Sequence, residues 1–170
     1  MIGSLDPRLM GELEVASSSD LFTLGRYFYE VGGYYDTILS DSTREFADQY
    51  DRALSKVLRE LRNRNLIEDI DDLYPSFDSI DPEKIFRSLD RLKELSIAEL
   101  ENLYIQIYLS GIGSPTLESD EPSLELKQKV VDELKTRVPA TDSDRLKIAY
   151  CLDTFKTELE YLTVLSSPES

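Results

Sequence analysis

The sequence predicts an all-α fold: a single-domain helical bundle of about six to seven helices, mostly antiparallel neighbours, with no sheet. Three observations predict it. Apolar residues recur at three- and four-residue steps through every long segment. Capping-box patterns, a hydroxyl followed three residues later by an acid, stand at Ser42-Thr-Arg-Glu45 and Ser96-Ile-Ala-Glu99, with a related Thr141-Asp-Ser-Asp144. No segment alternates apolar and polar residues with β-branched enrichment, the signature of a strand.

Residues 1–17 read as an N-terminal arm containing Pro7 and Gly11, and residues 167–170 as a frayed tail. Between them, 18–166 reads as one domain, because two domains in 170 residues would each be poorly cored. The first helix, residues 20–39, is capped by Ser19 or Asp20. Leu21, Leu24, Phe28, Val31, Tyr35 and Ile38 form its stripe, joined by Tyr27 and Tyr34. Phe22 and Tyr29 fall on the far side, with Gly25 and Gly32 between, so only Thr23, Arg26, Glu30 and Thr37 form a polar arc. A helix apolar around most of its circumference is central or buried in an oligomer.

The second helix opens at Ser42 and is amphipathic: Phe46, Tyr50, Ala53, Leu54, Val57, Leu58 and Leu61 oppose Arg52, Lys56, Arg59 and Asn63. Residues 66–83 are an acidic connector with seven carboxylates and no base, holding a short helix up to Tyr74. Asp81-Pro82 then reads as an N-cap followed by proline in the first helical position. Further helices follow from Ser96 to a stop at Gly111-Ile-Gly113, over residues 123–137, and from Thr141 to about Leu165.

Composition excludes several functions. There are 34 acids against 19 bases, a net charge of −15, which opposes binding to nucleic acid and to anionic lipid. No apolar run approaches the ~20 residues of a membrane span. The single cysteine, Cys151, permits no internal disulfide and suits a cytoplasmic protein. The chain has no histidine, which removes Ser-His-Asp and Cys-His nucleophiles and imidazole metal ligands. No catalytic residue, metal site or cofactor is read from the sequence.

Charge is unevenly placed. Residues 66–83 contribute −7 and residues 115–123 contribute −3, while residues 41–65, 84–114 and 124–139 are nearly balanced. Charge held in connectors does not resemble a phosphate track, which counts against mimicry of nucleic acid. Glu68, Asp69, Asp71 and Asp72 lack the alternation and the glycine of a calcium loop.

Two candidate interaction sets remain. The segment 25–35 packs four tyrosines and three glycines into eleven residues. Tyrosine combines a large ring with a polar tip, and glycine permits close helix approach, so Phe22, Gly25, Tyr29, Gly32, Tyr34 and Tyr35 are interface candidates. Arg52, Lys56 and Arg59 form a basic stripe suited to an anionic partner. The expectation is a non-catalytic protein working through a protein partner or self-association, a homodimer being one form. The alternatives are a carboxylate-dependent, metal-assisted enzyme or small-ligand binder, and an acidic inhibitor occupying a basic site on its target.

Overall fold

The structure is a computed structural model that describes residues 13, 16–37, 41–110 and 121–165. The described residues form six α-helices and no strand, as the sequence predicts: α1 (Ser18–Thr37), α2 (Asp41–Asn63), α3 (Pro82–Leu89), α4 (Ile97–Ser110), α5 (Glu121–Lys135) and α6 (Asp142–Leu165). Short 3₁₀ turns occupy Ile70–Leu73, Phe77–Ser79 and Leu92–Glu94. None of the described helices is long and apolar enough to cross a membrane. The predicted arm at 1–17 falls almost wholly outside the described residues. The Gly111-Ile-Gly113 stop and the 167–170 tail fall outside them entirely.

The chain divides into two compact units, Met1–Leu73 with Leu152–Ser170, and Tyr74–Cys151. Helix α6 therefore contributes its later residues to the first unit and its earlier residues to the second.

Capping fixes several helix starts. Ser17, rather than Ser19 or Asp20, begins α1: its hydroxyl accepts from the Asp20 backbone N–H at 3.1 Å and its carbonyl accepts from Leu21 at 3.0 Å. Asp81 caps α3 by accepting from the Glu83 N–H at 3.0 Å, with Pro82 in the first helical turn. At α4 the capping box is reciprocal. The Glu99 N–H donates to the Ser96 hydroxyl at 3.1 Å, and the Ser96 N–H donates to Glu99 Oε1 at 3.0 Å. Those bonds hold the Glu99 carboxyl below its ordinary pKa. Thr141 caps α6 through the Asp144 N–H at 3.1 Å, whereas Asp144 reaches back to the Ala140 N–H at 3.2 Å. Helix α5 starts two residues before the expected Ser123, at Glu121.

Helix α2 ends on a left-handed residue. Asn65 has φ 60°, the Leu66 N–H donates to the Leu61 carbonyl at 3.0 Å, and the Asn65 N–H donates to Arg62 at 2.9 Å. This is a Schellman closure with asparagine where glycine is usual. The acidic connector after it holds a 3₁₀ turn at Ile70–Leu73 instead of a longer helix. There Asp72 folds back to accept from the N–H groups of Glu68 and Asp69 at 2.7 and 3.2 Å, which lowers its pKa. A side chain that satisfies backbone donors locally competes with helix propagation.

In the first unit, α1 packs along α2. Leu21, Tyr27, Phe28 and Val31 are buried, as are Tyr50, Ala53, Val57 and Leu61. Tyr27, Phe28 and Tyr50 form a ring cluster with centroids 5.6 to 6.1 Å apart. In the second unit, α4 packs on α5, burying Leu100, Leu103, Tyr104 and Ile107 together with Val130, Val131 and Leu134. Tyr104 meets Tyr150 edge to face at 6.1 Å. Lys127 is buried, with its ammonium 5.9 Å from the Tyr104 ring and 5.2 Å from the Tyr108 ring. Arg137, just past α5, binds Glu133 at 2.8 Å and the Leu92 and Lys93 carbonyls at 2.9 and 3.3 Å, closing the Leu92–Glu94 turn.

Candidate functional site

Helix α1 distributes its unusual residues between an inward and an outward line. Gly25 and Gly32 face inward. A Cβ at Gly25 would lie 2.9 Å from Leu73 Cδ2 and 3.5 Å from Val57, and a Cβ at Gly32 would lie 3.0 Å from Tyr50 Cβ. These glycines admit the chain's own neighbours, so they serve the intramolecular core. Tyr34 is half-buried against Tyr161 of α6, with ring centroids 5.2 Å apart. Tyr35 lies within α1, but its side chain falls outside the described residues.

The outward line is Phe22, Arg26, Tyr29 and Gly33, spaced four, three and four residues apart. Tyr29 is 42% exposed, and a Cβ at Gly33 would meet nothing within 4 Å among the described residues. Arg26 stands 5.9 Å over the Phe22 ring while its Nε donates to the Leu73 carbonyl at 2.8 Å. The predicted polar arc is not the solvent face, because Thr23 and Glu30 are buried. Thr23 tolerates burial by donating its hydroxyl to the Ser19 carbonyl at 3.2 Å.

A polar pair that sequence patterning does not reveal, a buried tyrosine with a half-buried aspartate, ties α1 to α6. The Tyr27 hydroxyl donates to Asp153 Oδ2 at 3.1 Å, across 126 residues of sequence. Burial raises the Tyr27 pKa well above its ordinary value, and the nearby Asp153 charge raises it further. The phenol is therefore a fixed neutral donor rather than an acid–base group. Cys151 is buried as well.

Helix α2 presents the second candidate set outward, as its spacing predicts. Arg52, Lys56 and Arg59 are all exposed on one face. None of the three makes a hydrogen bond or ion pair with a described residue. Asp48, one turn before Arg52, is exposed and does not pair with it. The contrast with Arg64 is sharp: Arg64 binds Glu60 at 2.9 Å, the Ser18 hydroxyl at 3.3 Å and the Leu13 carbonyl at 3.2 Å. Arg62 donates to the Glu68 carbonyl at 3.4 Å. Like charges one turn apart repel by a few tenths of a kcal/mol.

The second unit carries a cationic cleft that sequence reading misses. Lys84, Arg87, Ser88, Asp90 and Arg91 line a depression of about 520 Å³. Their segment sums to zero net charge, which hides the local excess. The signal that could have found them is the helical spacing of Lys84, Arg87, Ser88 and Arg91, three, one and three residues apart. Carboxylates are not gathered in this way. Among the described residues no three Asp, Glu or Cys side chains are placed to hold a metal ion. The four acids Glu68, Asp69, Asp71 and Asp72 all face solvent. Compared with family models, with curated proteins and with solved structures, the chain matches none.

Proposed function

We propose that this chain acts without catalysis, by binding another protein, and that the outward face of α2 is its docking surface. The observation that carries this reading is the exposed Arg52-Lys56-Arg59 stripe, which makes no hydrogen bond or ion pair among the described residues of a chain rich in acids. Three exposed cations spread over two helical turns fit an acidic, extended or helical protein segment, with arginine able to take a carboxylate through two N–H groups. The net charge of −15 favours such a short acidic segment over nucleic acid, whose long-range field the whole chain would oppose.

The test is affinity capture from the native cell with the wild type and with a triple variant, Arg52→Glu, Lys56→Glu and Arg59→Glu. All three side chains point to solvent, so circular dichroism and the unfolding midpoint stay unchanged. A discrete acidic protein retained by the wild type and lost by the variant is the expected result. Identical recovery by both proteins would defeat the proposal.

Self-association is the second reading, favoured by exposed Tyr29 beside Phe22 and the open surface over Gly33 on α1. It predicts a dimer that Tyr29→Glu disperses. Light scattering that finds only monomer at tens of micromolar removes it.

A further inference from the structure

The cleft on α3 has a composition that an ordinary solvated helix face does not require. Lys84, Arg87 and Arg91 line it together with the Ser88 hydroxyl and the Asp90 carboxylate. The platform is fixed at both ends. Asp81 and Pro82 set the start of α3. At the end, the Asp90 N–H donates to the Phe86 carbonyl at 3.2 Å and the Arg91 N–H donates to the Ser88 carbonyl at 3.0 Å, which fixes the turn that carries Arg91 out of the helix. The cations are only loosely engaged. Lys84 and Arg87 have no hydrogen-bond or ion-pair partner among the described residues, and Arg91 reaches Glu94 only at 3.8 Å with both side chains largely exposed. Asp90 lies among three cations yet pairs with none of them within 4.0 Å among the described residues.

We propose that this cleft binds a small phosphate ester whose organic part carries hydroxyl groups, such as a sugar phosphate. Lys84, Arg87 and Arg91 meet the phosphoryl oxygens, where the guanidinium fork matches a phosphate and the ammonium adds a point charge. Asp90 is the discriminating residue. Its carboxylate repels a bare inorganic anion but accepts a hydrogen bond from a ligand hydroxyl, and Ser88 donates or accepts beside it. The depression of about 520 Å³ is open to solvent and leaves room beside a phosphate for the organic part of an ester. This site lies on residues separate from the α2 stripe and does not depend on the protein-binding reading.

The experiment is a titration of the full-length, isotope-labelled chain with ribose 5-phosphate, with pyrophosphate and ribose in parallel, read by backbone amide shifts at low ionic strength. The expected result is saturable shifts at Arg87, Ser88 and Asp90 with ribose 5-phosphate, at a Kd of about 1 mM. Ribose alone gives none. Arg87→Ala weakens binding about tenfold. Asp90→Asn weakens ribose 5-phosphate but strengthens pyrophosphate, a reversal that nonspecific charge attraction cannot produce. Amide dispersion elsewhere in the spectrum confirms that each variant is folded. Absence of saturable shifts with ribose 5-phosphate overturns the proposal. So does tighter binding of pyrophosphate than of ribose 5-phosphate by the wild type, or affinity unchanged by Arg87→Ala.

Discussion

Three glycines on α1 receive the same substitution, alanine, and should answer with three different outcomes. Alanine in a helix interior gains about 1 kcal/mol over glycine from backbone entropy and propensity. At Gly33 no described residue opposes that gain, because the new methyl meets none of them within 4 Å. Gly33→Ala therefore stabilises by up to about 1 kcal/mol. At Gly32 the methyl would stand 3.0 Å from Tyr50 Cβ, an atom fixed to the α2 backbone. Relief requires α1 and α2 to separate, and overpacking of this kind costs about 1–3 kcal/mol. The net effect of Gly32→Ala is then a destabilisation of about 1 kcal/mol. At Gly25 the methyl would stand 2.9 Å from Leu73 Cδ2, the free end of a side chain that can change rotamer. Gly25→Ala consequently comes out near neutral, within about 0.5 kcal/mol. Urea unfolding followed by circular dichroism reads all three, with the denaturant slope checked for a common transition. A destabilising Gly33→Ala, or a stabilising Gly32→Ala, would refute the assignment of Gly32 to the helix contact and Gly33 to the outer face.

Tyr27→Phe removes one hydrogen bond to the half-buried Asp153 and should cost about 1 kcal/mol in urea unfolding; a neutral result would mean the bond contributes nothing net. Asn65→Ala places a side chain at φ 60° without the polar group that eases that conformation, and should lower stability by about 1 kcal/mol while Asn65→Gly does not. Arg137 holds the Glu133 carboxyl below its ordinary pKa, chiefly through their hydrogen bond. The folded-state value is depressed, so the contribution is present at neutral pH. It is lost as pH falls below about 4 and through the folded-state value. Glu133→Gln should thus lower the urea midpoint at pH 7 and leave a shallower loss between neutral and acid pH, measured as midpoint against pH.

Local chemistry made much of the helical plan legible. The Ser96–Glu99 box, the Asp81-Pro82 start and the Thr141 cap each act within four residues, so their patterns predict their bonds. The amphipathic stripe of α2 was equally clear, because its charged and apolar faces do not mix. Helix α1 was harder. Its glycines were visible, but whether a bare face admits a neighbour of the same chain or a partner depends on Leu73 and Tyr50, which sequence spacing does not place against it. Hence Gly25, Gly32 and Tyr34 proved to be spent on internal packing, while Phe22 and Tyr29 lie on the outward line. The acidic connector's spacing predicts a short helix up to Tyr74, but only a 3₁₀ turn forms, since Asp72 satisfies the Glu68 and Asp69 donors itself. Pairing of Tyr27 with Asp153 is a long-range event with no local signature. The Lys84-Arg87-Arg91 cleft was obscured by summing charge along the chain instead of around the helix.

The central claim is that the basic face of α2 contacts an acidic protein segment. A photo-crosslinking residue placed at Lys56, with another at exposed Lys129 on α5 as control, tests it in the native cell. Docking on this face yields one discrete crosslinked protein from position 56, joined through a peptide rich in Asp and Glu, and only background from position 129. The same background from both positions, or a peptide without acidic residues, would contradict it.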